Sequence, residues 1–330
     1  MIRKTVRIFS IFLLFIFIIT LTGCSKSEDI NISDKKKKIA LIVKMNYGYH
    51  WMTVKLGADT AAQEFNVDID YNGPNDEEDI EGQIELVNKS IKDIADGKIH
   101  ALILAASDFK ALSAVTEKAY SYKVPVIIID SEVDTDKIHC FIGTDNFDAG
   151  RKAGEKLVEV AGKKCKIAIM SFVKGTRNAE KREEGLLSII SRYPDIKVVA
   201  KEYCLSDTRL AFNLAKKILS QHPDLDAFVT LNSISSEGVA EAVDQLDLEG
   251  KVKIISFDNT PKEIDYLERG IIQATVTQDP FSMGYLGVKY AVDKMNGKDI
   301  PPFFYTKSTV IDINNMYLPE NQKLLFPLVK

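Results

Sequence analysis

Short apolar runs punctuate the chain at Ile39–Val43, Ala101–Ala105, Val124–Ile129, Lys166–Met170, Ala227–Thr230 and Val252–Phe257. None alternates between polar and apolar residues, which suits strands buried on both faces, as in a parallel sheet covered by helices. Between them, Val54–Phe65, Asp79–Ile94, Lys110–Tyr120, Asp148–Val160, Ala211–Leu219 and Ser236–Leu246 repeat apolar residues at spacings of three and four. That is the signature of helices with one buried face. The alternation predicts an α/β fold of doubly wound lobes.

The pattern also repeats. Lys38-Ile39-Ala40-Leu41 returns as Lys166-Ile167-Ala168-Ile169, and Gly57 returns as Gly185, both 128 positions later. Lys123–Asp130 returns as Lys251–Asp258 at the same offset. Three anchors at one offset describe two lobes with the same wiring. Matching lobes imply a cleft, and ligands of open parallel sheets sit beyond the carboxyl ends of the strands. Asp130, Asn232, Asp258 and Gln278 follow or end apolar runs, Tyr47–Met52 follows the first, and Arg182 follows Lys166–Phe172. Either aspartate alone would serve equally well as a helix cap. Two equivalent aspartates with Asn, Gln, Arg and aromatics at one level favour a binding site.

At 330 residues, with 45% hydrophobic and 27% charged positions, the chain has enough material for two cores. The formal charge of −4 changes once the N-terminus is set aside. Without Arg3, Lys4 and Arg7 the 43 basic residues become 40 against 47 acidic ones, a charge of −7. No broad basic face is left for nucleic acid. Those three residues precede an apolar run, Ile8–Leu21, too short to span a bilayer and followed by small residues. This reads as a secretory signal over residues 1–23, with an uncut signal anchor as the alternative. Residues 24–38 read as a polar tether ending in four lysines, Lys35–Lys38. Cys140, Cys165 and Cys204 show neither a CxxC pair nor zinc-ligand spacing and read as buried thiols, with a disulfide among them as the alternative. No nucleophile elbow, P-loop, GxGxxG after the first strand or HExxH is present, so the chain reads as a non-enzyme without cofactor or metal.

Leu21-Thr-Gly-Cys24 resembles a bacterial lipobox, which implies that Cys24 is lipidated and anchors the protein on the extracytoplasmic face of the cell membrane. Gly143-Thr-Asp-Asn146 with Gly150, Phe257-Asp-Asn-Thr-Pro261 and Ala274-Thr-Val-Thr-Gln278-Asp-Pro280 are the most specific stretches of a likeness that runs from about Lys38 to the C-terminus. By them the chain resembles the ribose-binding type of periplasmic sugar-binding proteins. The resemblance implies two Rossmann-like lobes joined by a three-stranded hinge, with crossings near Thr144, Gln278 and Lys307. The N-terminal lobe would comprise 39–144 plus 279–307, and the C-terminal lobe 145–278 plus 308–330. It further implies a monosaccharide, pentose or hexose, held by Asp130, Arg182, Asn232, Asp258 and Gln278, with Trp51 stacking on the C–H face of the sugar. Ordinary packing is the alternative for Trp51, and an exposed loop position is the alternative to a ligand contact for His50. Gly48, His50, Ser131 and Ser206 depart from the ribose pattern, so ribose itself does not follow; Tyr47, Tyr49 or Tyr203 would compensate. The partner implied is the permease of an ABC importer, or alternatively a membrane histidine kinase that reads sugar occupancy. Regulators of the lactose-repressor type share the fold, but here a lipoprotein signal takes the place of their DNA-binding helices.

Overall fold

The computed structural model describes residues 36–326. The signal segment, Cys24 and the tether up to residue 35 lie outside the described residues. The first half contains β1 (Lys38–Ile42), α1 (Tyr49–Phe65), β2 (Asp68–Asn72), α2 (Ile80–Ala95), β3 (Ala101–Leu104), α3 (Ser113–Ser121), β4 (Val126–Ile129) and β5 (Cys140–Thr144). The chain continues through α4 (Asn146–Ala161), β6 (Cys165–Ser171), α5 (Arg177–Ile190), β7 (Ile196–Tyr203), α6 (Thr208–Gln221), β8 (Ala227–Thr230), α7 (Ser233–Gln245) and β9 (Lys253–Phe257). It ends in α8 (Pro261–Glu268), β10 (Ala274–Thr277), α9 (Pro280–Met295), β11 (Phe303–Thr306), β12 (Thr309–Asp312) and α10 (Pro319–Leu325).

Two six-stranded sheets result, in the orders β11-β5-β4-β3-β1-β2 and β12-β10-β9-β8-β6-β7. Every pairing is parallel except β10 with β12. The 128-residue repeat therefore maps β1 onto β6 and β4 onto β9, each at the same place in its sheet. The absence of alternation has its cause in β1: Ile39 and Leu41 enter one apolar cluster, and Ala40 and Ile42 enter another on the opposite face. The predicted strands and helices are present, with shifted ends. The outer strands β2 and β7 went unread because they are only partly buried and carry polar residues.

The chain passes between the sheets after β5, after β10 and between β11 and β12. Consequently α9 packs on α1 and α4 packs on α5. Both contacts bring backbone against backbone, and the repeated glycines make this possible. A Cβ at Gly57 would collide with the Phe281 carbonyl oxygen, and one at Gly284 with that of Val54. In the second lobe, Gly150 lies against the Arg182 carbonyl and Gly185 against that of Phe147. Gly57→Ala and Gly185→Ala are each expected to destabilise the protein by about 1–3 kcal/mol, because strain from forced separation outweighs the gain in helix propensity. Urea unfolding checks this; wild-type stability in both variants would show that the helix pairs have room to spare.

Candidate functional site

The strand order reverses around β1 in one sheet and around β6 in the other, and the loops beyond those carboxyl ends face each other across a cleft of about 810 Å³. All seven residues singled out in the sequence, His50, Trp51, Asp130, Arg182, Asn232, Asp258 and Gln278, line it. Asp130 and Asp258 occupy equivalent positions just after β4 and β9. Both adopt the left-handed backbone, with φ of 61° and 77°, which turns each carboxylate out of its strand.

The two aspartates are used differently. Asp130 caps no helix: its Oδ2 lies 3.3 Å from the Lys44 ammonium, and its Oδ1 lies 3.2 Å from His50 Nε2. Asn178 Nδ2 also donates to Oδ2, at 3.3 Å. Burial would raise this carboxyl, but Lys44, His50 and Arg182 hold it well below the usual carboxylate range. Asp258 accepts the backbone N–H of Ser233 at 2.9 Å and the Gln278 amide at 2.5 Å, so it does cap α7 from outside. Asn232 is the N-cap of α7, accepting from the Ser235 N–H at 2.9 Å. Capping and lining the cleft are compatible at both positions.

Arg182 and Lys44 are among the largest side chains that are almost fully buried in the described residues. The Arg182 guanidinium packs over the Phe257 ring at 4.7 Å, donates through Nε to Asn146 at 2.9 Å and through Nη1 to the Leu231 carbonyl at 2.7 Å. Its Nη2 has no partner among the described residues. Burial lowers its affinity for the proton, and Asp258, Asp130 and Glu77 oppose that shift. Trp51 satisfies both readings, being packed in the core of the first lobe and lining the cleft, with its ring edge-on to His50 at 4.8 Å. His50 is not an exposed loop residue; it sits in the first turn of α1 with 15% of its side chain exposed. Tyr47 and Tyr49 also line the cleft. Tyr203 does not; it faces Lys174 and Lys201 instead. Ser206 donates to Glu77 at 2.5 Å. The three cysteines at 140, 165 and 204 are free and buried.

Sequence reasoning missed Lys44, Glu77 and Asn178. Lys44 lies two residues beyond β1, and its ammonium lies 3.3 Å from Asp130, 3.4 Å from Glu77 and 3.2 Å from Asn178 Oδ1. Asn178 belongs to the second lobe and Lys44, Glu77 and Asp130 to the first. This cluster and the Glu77–Ser206 hydrogen bond thus join the lobes across the cleft. Farther out, the Phe109 N–H donates to the Gly175 carbonyl at 2.9 Å. The lobes are closed on one another.

Removing the ammonium would take the nearest counter-charge from two buried carboxylates, Asp130 and Glu77. Lys44→Met is expected to lose about 3–5 kcal/mol at neutral pH. In the wild type the depressed Asp130 carboxyl contributes stability above the unfolded value near ~4, and that contribution fades as pH falls below it. In the variant Asp130 is penalised when charged, so its deficit should narrow toward pH ~3–4. Urea unfolding across pH checks both parts, and a deficit independent of pH would refute the ionic account. Behind Asp258, Glu263 is fully buried; burial and the neighbouring Asp258 push its carboxyl well above the usual range. Such a group costs stability that builds up as pH rises from the unfolded value near ~4.3 through its own raised one and persists above it. Glu263→Gln keeps an acceptor for the Thr260 N–H, so it should raise the thermal midpoint, more at pH 8 than at pH 4. An equal gain at both pH values would contradict a neutral Glu263.

A family profile described as a periplasmic binding protein domain matches residues 39–299. The D-allose-binding periplasmic protein of Escherichia coli (strain K12) is 26% identical over 271 residues, covering 79% of this chain and 86% of that protein. The D-ribose/D-allose-binding protein of Pseudomonas aeruginosa is 27% identical over 292 residues, covering 85% and 90%. Among solved structures, a carbohydrate transporter solute-binding protein from Agrobacterium radiobacter in complex with D-arabinose superposes with a TM-score of 0.85 at 29% identity, covering 89% of this chain and 100% of its own. An ABC transporter solute-binding protein from Agrobacterium vitis with bound D-fucose gives 0.84 at 29%, covering 87% and 99%. Among the described residues no helix is long and apolar enough to cross a membrane. The two like-wired sheets, the cleft between them and the match over most of the chain agree: this protein belongs to the periplasmic binding protein family, in its ribose-type sugar-binding branch, and is a solute-binding protein rather than an enzyme.

Proposed function

We propose that this chain is a lipid-anchored extracytoplasmic receptor that closes around one neutral monosaccharide and delivers it to the permease of an ABC importer. The observation that carries this reading is the polar lining of the cleft: two aspartates on equivalent turns, a buried guanidinium with an unpartnered Nη2, and the side-chain amides of Asn232 and Gln278. A sugar hydroxyl both donates and accepts, so it wants a carboxylate on one side and Arg, Asn or Gln on the other. The relatives named for D-allose and ribose, and the structures holding D-arabinose and D-fucose, support the same ligand class. Formal charge narrows it. Asp130, Glu77 and Asp258 outnumber Lys44 and Arg182, so a uronate or sugar phosphate would meet excess negative charge.

In this reading Asp130, Arg182, Asn232, Asp258 and Gln278 hold hydroxyls, Trp51 stacks on a C–H face and His50 contacts the sugar beside Asp130. The lobes divide at the crossings near Thr144, Gln278 and Lys307, and Cys24 carries the lipid. Thermal-shift screening with D-allose, D-ribose, D-arabinose, D-fucose and D-glucuronate tests the proposal. A neutral sugar at 100 times its dissociation constant should add about 2.7 kcal/mol of stability, while D-glucuronate should add none. For the sugar that responds, Arg182→Ala and Asp258→Ala should each weaken binding about ten- to a hundred-fold. Stabilisation by D-glucuronate alone, or near-wild-type affinity in both variants, would overturn the assignment.

A further inference from the structure

Four hydrogen bonds form an unbroken path from Arg182 to Asp258. Arg182 Nε donates to Asn146 Oδ1 at 2.9 Å, and Asn146 Nδ2 donates to the Thr144 carbonyl at 3.1 Å. Thr144 Oγ1 donates to Gln278 Oε1 at 2.9 Å, and Gln278 Nε2 donates to Asp258 Oδ1 at 2.5 Å. All five residues are buried, none more than 9% exposed. The ends of the path line the cleft; Thr144 and Asn146, in the middle, do not. Those two flank the crossing from β5 of the first sheet into α4, which packs on α5 of the second lobe. Gln278 stands at the crossing after β10.

The polarity of the path is dictated from its ends. A guanidinium only donates, so Asn146 must turn its oxygen toward Arg182, leaving its NH2 to seek an acceptor. A carboxylate only accepts, so Gln278 must turn its NH2 toward Asp258, leaving its oxygen to seek a donor. Thr144 supplies both, a carbonyl to one amide and a hydroxyl to the other. Thr144→Val would keep the shape and lose the donor; Asn146→Ala would lose both links.

We infer that Thr144 and Asn146 are positioning residues through which the hinge sets the charged pair of the cleft. Rotation about the 144–146 segment moves the carbonyl and the hydroxyl that orient the two amides. Opening the lobes therefore releases Arg182 Nε and Asp258 Oδ1 from their fixed bearings, and closing restores them. The consequence for affinity rests on the sugar-receptor reading; the coupling within the protein does not.

The test uses the ligand-free, ¹⁵N-labelled full chain. The Arg182 Nε–H and Gln278 side-chain signals are assigned by their loss in Arg182→Lys and Gln278→Glu. In Thr144→Val the Arg182 Nε–H, two links away, should exchange with water about tenfold faster than in wild type, the factor for losing one net hydrogen bond. Thr144→Ser, which keeps the donor, should restore the wild-type rate. Asn146→Asp retains an acceptor for Arg182 but cannot donate to Thr144, and should shift the Gln278 signals at the far side of the path. If Thr144→Val fails to fold, Asn146→Asp carries the test alone. An Arg182 rate within about twofold of wild type in folded Thr144→Val, or Gln278 signals unmoved by Asn146→Asp, would overturn the inference. Calorimetry with D-allose and D-ribose on the same samples separates the two readings. Coupling without binding of either sugar upholds the path and counts against the sugar assignment, whereas binding without coupling does the reverse.

Discussion

The structure turns on one buried ammonium. Lys44 lies just beyond β1 with 1% of its surface exposed, between the carboxylates of Asp130 and Glu77 and against the Asn178 amide of the other lobe. Burying ions is costly unless each finds its counter-charge and fills its remaining hydrogen-bonding capacity. Here the requirement is met only when the lobes are together, because Asn178 and Ser206 complete the shells of Lys44 and Glu77 from across the cleft. The same ammonium helps keep Asp130 ionised despite burial, which in the proposed reading leaves an acceptor ready for a sugar hydroxyl. Charge and closure share one cluster.

Around it, the repeat supplies symmetry and the chemistry breaks it. Equivalent strands present equivalent aspartates on left-handed turns. Equivalent glycines let α1 meet α9 and α4 meet α5 at backbone distance, which in the second lobe seats the Arg182 backbone directly against Gly150. Yet Asp130 is held by the Lys44 ammonium, His50 and the Asn178 amide, and Asp258 by the Gln278 amide and a helix N–H. The first side of the cleft is therefore an ionic cluster and the second a hydrogen-bonded one. An asymmetric ligand such as a sugar can be read in one orientation by such a pair.

Much of this was legible in the residues. Runs such as Ala227–Phe228–Val229–Thr230 are apolar throughout because both faces are covered, and they became strands with nearly the predicted ends. The residues at strand ends marked the cleft because ligand sites of parallel sheets lie there. The start of α1 was misplaced, since Tyr49-His50-Trp51-Met52 shows no helical spacing and follows Gly48, whose φ of 96° precedes the first turn. Lys44 was passed over because a lysine after an apolar strand ordinarily ends it in water. Glu77 was hidden inside Asp76-Glu77-Glu78-Asp79, which reads as a solvated acidic loop. Neither residue carries a local signal of its burial. That depends on partners 86 and 134 positions away from Lys44 in sequence, Asp130 and Asn178, which only the folded chain brings together.

The central claim is that the free hydrogen-bonding groups of the cleft are matched to one neutral sugar between closed lobes. The most direct measurement is a crystal structure of the protein grown with D-allose or D-ribose. The account predicts a single ring beside Trp51, with a hydroxyl oxygen within hydrogen-bond distance, about 2.7–3.2 Å, of Arg182 Nη2, and others on Asp130 and Asp258. Lobes closed as here, with the sugar absent from the cleft or bound at the outer rim and Arg182 Nη2 still unpartnered, would contradict it.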